Sequence, residues 1–115
     1  MVVKVQSTKG FRIQKRTARL VFSGDYEGAE VVVRLDVPVG VFIDIQDMVA
    51  NDEQQSLQIF KVFGEKVLEE WNIEDDDGQT LPTNSQGMQK IPLQLANLII
   101  EQWVEVCTQP PIPLD

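Results

Sequence analysis

The chain has 115 residues, 43% hydrophobic and 24% charged, with a net charge of −8, one cysteine and no histidine. That length closes one core and leaves no room for two, and the composition is globular rather than disordered. Without histidine the usual general base and pH switch are missing, Ser–His and Cys–His nucleophiles and His/Cys zinc sites are excluded, and a single Cys107 excludes an internal disulfide.

No apolar run reaches the roughly 18 residues that span a bilayer, and Met1–Ser7 lacks the apolar stretch of a secretory signal. A reducing cytosol is the expected setting. The charge is segregated: residues 1–19 carry Lys4, Lys9, Arg12, Lys15, Arg16 and Arg19 and no acid, whereas the remainder carries four basic residues and all 18 acids. Residues 1–16 read as a basic arm ahead of one domain, 17–109, with a proline-rich tail over 110–115. Two readings of the arm stand side by side. It reaches for a partner through Arg12, Lys15, Arg16 and Arg19, or it lies across the chain's own acidic surface.

In Thr17–Ser23, Ala18, Leu20 and Phe22 alternate with Thr17, Arg19 and Val21; in Ala29–Asp36, Val31, Val33 and Leu35 alternate with Glu30, Val32, Arg34 and Asp36. Between them Ser23–Gly28 supplies two glycines and an aspartate, the chemistry of a tight connection. This predicts an antiparallel hairpin with one buried face. Pro38 and Gly40 end the second strand. Val41–Ala50 fits either a strand or a short helix, and a helical turn is the preferred reading.

Asn51 or Asp52 offers an N-cap for a helix predicted over 52–72, with a stripe of Leu57, Phe60, Phe63, Val67, Leu68 and Trp71 in steps of three and four. Gly64 inside the stripe implies a closely packed neighbour. Asn72–Lys90 reads as a long polar connection in which Thr83 or Ser85 caps one short helical turn. Pro92 suits the first position of a last helix, 92–108. Its stripe is Leu93, Ala96, Ile100, Trp103 and Cys107, widened by Leu95, Leu98, Ile99, Val104 and Val106. Apolar over most of its girth, this helix is either central to the core or shared with a partner, a second copy included. Leu95, Leu98, Ile99, Trp103 and Val106 are accordingly candidate partner contacts. Taken together the fold class is α+β: a hairpin packed against two main helices, with short helical turns.

Sites that carry chemistry are hard to find. The acidic run Glu74–Asp77 before Gly78 invites a calcium loop, but with Gly78 sixth the first and twelfth positions are Ile73 and Asn84, neither an acidic ligand. A solvated turn is the better reading. Cys107 has no base at hand and reads as a core thiol. Phe11–Arg19 has the residue types for phosphate contact, giving a regulatory nucleic-acid binder as one alternative, yet a pI of 4.4 opposes it. No catalytic, cofactor or metal residues are assigned, and the expected function is protein binding.

Three stretches resemble one kind of protein: Leu20–Arg34, then Leu68–Gly78 with Leu81-Pro82-Thr83, and Leu98–Trp103. They are similar to small proteins of the tail-gene modules of long-tailed bacteriophages and prophages, the tail assembly chaperones and their neighbours. The resemblance covers roughly residues 20–105. It implies a non-enzymatic factor in the cytoplasm of the bacterial host, with tape-measure or tail-tube protein as partner and no cofactor. A structural head–tail or tail component of the virion is the other reading it leaves open.

Overall fold

A computed structural model describes residues 10–50 and 57–109. The expected caps Asn51 and Asp52, the first nine residues of the arm and the tail at Pro110, Pro111 and Pro113 lie outside the described residues. Seven regular elements follow in order: β1 (Thr17–Val21), β2 (Glu30–Arg34), α1 (Val39–Ala50), α2 (Leu57–Lys66), β3 (Leu68–Trp71), α3 (Ser85–Met88) and α4 (Leu93–Thr108). The class is α+β, as the sequence predicts.

The hairpin forms in unbroken register, Thr17 opposite Arg34 through Val21 opposite Glu30. Its connection is a 3-10 turn at Gly24–Tyr26, and Gly24 (φ 68°) and Gly28 (φ 100°) take the positive φ that side-chain-bearing residues resist. Leu20, Val31 and Val33 face inward and are buried, while Thr17, Arg19 and Val21 are exposed.

The sheet has a third strand that periodicity misses. The helix expected over 52–72 stops at Lys66, and Leu68–Trp71 pairs antiparallel with β2. Val33 sits opposite Leu68 but Val32 opposite Glu70, so Glu69 is an extra residue, a bulge. The bulge turns Leu68 and Trp71, three residues apart, to the same side, where both are buried. In a regular strand they would face opposite ways. Asn72 fastens the end of β3 to the hairpin: its Oδ1 accepts from the Glu30 N–H (2.8 Å) and its Nδ2 donates to the Gly28 carbonyl (3.0 Å).

Helices close the inner face. Phe63 and Trp103 meet edge to face with ring centroids 5.5 Å apart, and Phe42 of α1 packs on Trp103 at 5.3 Å. The core joins Val31 and Val33 to Ile45, Phe63, Val67, Ile99 and Trp103. Both indoles are satisfied by backbone carbonyls, Trp71 by Leu81 and Trp103 by Arg34, each at 2.9 Å. Gly64 has the neighbour it implied: a Cβ there would stand 2.7 Å from the backbone of Asn84 and Ser85.

Further corrections are local. The segment read as a helical turn is a full 12-residue helix, α1. The short helix α3 is capped by Asn84, whose Oδ1 accepts from the Gln86 and Gly87 N–H groups, rather than by Thr83 or Ser85. Pro92 is the N-cap of α4 and not its first helical residue. Leu57 and Leu93, assigned to the buried stripes, are about half exposed because each opens its helix beyond the edge of the core (51% and 59%).

Candidate partner-binding surface

The candidate contacts divide by burial. On α4, Leu95, Ile99 and Trp103 are buried (3%, 0% and 0% exposed) against the chain's own sheet and helices. No partner touches them while the chain keeps this fold. Leu98 and Val106 are half-buried at the margin of α4, Val106 lining a shallow depression with Arg16, Leu35, Cys107 and Gln109. The broad apolar girth of α4 is therefore largely the girth of a central core helix.

The four basic candidates lie together on and before β1. Lys15 Nζ is 2.6 Å from a Glu69 carboxylate oxygen and Arg19 Nη1 is 2.7 Å from Glu30 Oε1. The Glu69 bulge thus offers its carboxylate to the arm across the sheet. Arg12 and Arg16 form no ion pair among the described residues, and Phe11 and Ile13 beside them are 90% and 73% exposed. The reading in which the arm lies on the chain's own acids holds for Lys15 and Arg19, while residues 11–13 stand in solvent. Such exposed pairs contribute little to stability, about 0–1 kcal/mol.

The acidic turn is organised by its own backbone. Asp75 Oδ1 accepts from the N–H groups of Asp77 (2.8 Å) and Gln79 (3.0 Å), and a bridge pairs Glu74 with Thr80. Among the described residues no three acidic or thiol side chains converge as a metal site would require. Burial pushes the Cys107 thiol above its ordinary range, which disfavours the thiolate a nucleophile needs. No described helix is long and apolar enough to cross a membrane.

Exposed apolar side chains also lie on α1. Of the apolar residues of α1 only Ile45 is buried outright; Val39 (72%), Ile43 (48%) and Val49 (41%) are exposed. Val39, Ile43 and Ala50 fall on one outward stripe at spacings of four and seven. The helix is flanked by two grooves. One of about 230 Å³ is lined by Met48, Val49, Ile59, Phe60 and Ile100 together with the polar Asn97 and Glu101. The other, about 250 Å³, lies between Val37, Val39, Phe42 and Cys107. No family model, no curated protein and no solved structure matches the chain.

Sequence reasoning passed over this surface, though the signal was present: on a helical wheel of Val39–Ala50, Val39, Ile43 and Ala50 form a second apolar stripe apart from that of Val41, Ile45 and Met48. The ambiguity between strand and helix concealed it, because in a strand the same residues would alternate between core and solvent.

Proposed function

We propose that this protein is a non-enzymatic protein-binding factor of phage tail assembly, acting on the tape-measure or tail-tube protein in the bacterial cytoplasm. The observation that carries the binding reading is α1, a helix that buries Ile45 alone outright and leaves Val39, Ile43 and Val49 exposed. Exposed apolar stripes on a small soluble chain mark interaction sites, and an outward stripe beside shallow grooves suits the apolar face of a client helix. The tail-assembly reading rests on the three stretches that resemble tail-module proteins. These are neighbours in the fold: Leu20–Arg34 is the hairpin, Leu68–Gly78 supplies the strand beside it, and Leu98–Trp103 ends at the indole that bonds Arg34.

The test is binding of the purified chain to tape-measure fragments from a tail module, with Val39→Asp/Ile43→Asp as the comparison. The expected result is saturable binding by the wild type and a loss of at least about tenfold in the double variant, whose fold is retained. No affinity of the wild type for any tail protein removes the tail-assembly reading. Equal binding by the double variant moves the contact away from α1.

A further inference from the structure

The two edges of the sheet are built differently. β3 is four residues long, bulged at Glu69 and carries two glutamates, and the chain beyond it folds into the Glu74–Thr80 bridge. Shortness, a bulge and charge all discourage strand addition. β1 is five residues long, regular, and free of proline, glycine and acid.

The direction of its backbone groups follows from the register. The Leu35 N–H donates to the Arg16 carbonyl at 2.8 Å. In an antiparallel ladder bonded pairs alternate with unbonded ones. Arg16, Ala18 and Leu20 therefore turn their N–H and C=O groups towards β2, and Thr17, Arg19 and Val21 turn theirs away. These last residues are exposed, and no described element pairs with that edge. Val21, 61% exposed, adds an apolar side chain on the same stretch.

Charge selects the occupant. From Gly10 to Gly24 the chain has Arg12, Lys15, Arg16 and Arg19 and no acid, and Arg12 and Arg16 have no acidic partner among the described residues. A second copy laid edge to edge sets this basic segment against itself, with Arg19 facing Arg19 when the pairing is centred there, which is unfavourable. An acidic strand meets a complementary field. We propose that the outer edge of β1 is a strand-addition site for an extended, acidic segment of another protein, paired through the backbone of Thr17, Arg19 and Val21. The inference rests on the protein-binding reading above but not on which assembly the protein serves.

The experiment uses the full chain, isotope-labelled, and a synthetic peptide on the order of ten residues that alternates valine and glutamate, long enough to span the strand. On binding, amide exchange should slow at Thr17, Arg19 and Val21 by about tenfold or more, with little change at Ala18 and Leu20, which the hairpin already protects. A valine–lysine peptide should bind at least about tenfold more weakly, and added salt should narrow that gap. Thr17→Pro removes one outward N–H and leaves the ladder intact, so it should weaken binding about tenfold with its melting temperature retained; Val21→Pro repeats the test should Thr17→Pro unfold. Absence of peptide binding, equal binding of the lysine peptide, or binding without slowing at the three amides overturns the proposal. Slowing of those amides with protein concentration alone assigns the edge to a second copy and overturns it too. Tape-measure binding that survives while the glutamate peptide fails removes the edge site and leaves the proposed function standing.

Discussion

The indole N–H of Trp103, on the last helix, donates a 2.9 Å hydrogen bond to the backbone carbonyl of Arg34 at the end of the central strand. One side chain thereby ties α4 to the sheet while filling the space between Phe42 and Phe63. Trp103→Phe removes the donor, leaves the Arg34 carbonyl without that partner and opens a cavity beside the two rings. The expected loss is about 2–4 kcal/mol, measured by urea unfolding. A loss under about 0.5 kcal/mol, within the range of ordinary surface changes, would show that the bond and the packing contribute little.

Close backbone packing gives a second prediction. Alanine normally stabilises a helix over glycine by about 1 kcal/mol. At Gly64 the added Cβ would stand 2.7 Å from backbone atoms of Asn84 and Ser85, and at Gly87 it would stand 1.7 Å from the Pro82 carbonyl oxygen. Backbone cannot swing aside as a side chain can, so overpacking, at about 1–3 kcal/mol, outweighs propensity. Gly64→Ala should be destabilising and Gly87→Ala more so, as thermal melts of the two variants would show.

Burial separates core from partner surface on the helices. Ile99 is 0% exposed, so Ile99→Asp places an unpaired carboxylate in the core and should unfold the chain. Ile43 is 48% exposed, and Ile43→Asp should change stability by no more than about 0.5 kcal/mol. Circular dichroism of both variants decides the matter. A folded Ile99→Asp variant would contradict the assignment of that side chain to the core.

Acid should loosen the contact between α2 and α3. The Glu65 carboxylate accepts from the Ser85 N–H at 3.1 Å, and hydrogen bonds from the Ser85 side chain and backbone hold its pKa below the ordinary carboxylate value. A depressed folded-state pKa contributes stability that is fully present above the unfolded-state value and is lost as pH falls through the folded one. The contribution is thus intact at neutral pH and disappears below the usual carboxylate range. A carboxyl titration by NMR should find Glu65 titrating lower than in the unfolded chain. Glu65→Gln should flatten the acid limb of the stability profile, and an unchanged limb would assign that limb to other acids.

Where each side chain follows the period of its element, the sequence alone was sufficient. Ala18, Leu20 and Phe22 against Val31, Val33 and Leu35 define a two-residue period that only a half-buried strand pair satisfies, and the hairpin is there. Leu93, Ala96, Ile100, Trp103 and Cys107 define a 3.6-residue period, and α4 is there. Tertiary structure decided the rest. Leu68 and Trp71 continue the spacing of Phe60, Phe63 and Val67, yet they form a strand, because the Glu69 bulge lets residues three apart share one face and the open edge of β2 supplies hydrogen-bond partners distant in sequence. The same holds for the candidate surface. Composition showed that α4 carries more apolar residues than one face needs and left α1 ambiguous, and only the packing of α4 across the sheet buried Leu95, Ile99 and Trp103 and left Val39 and Ile43 of α1 in solvent. Periodicity is a local property of the chain, whereas which of two apolar helices becomes the core is settled by contacts between residues far apart in it.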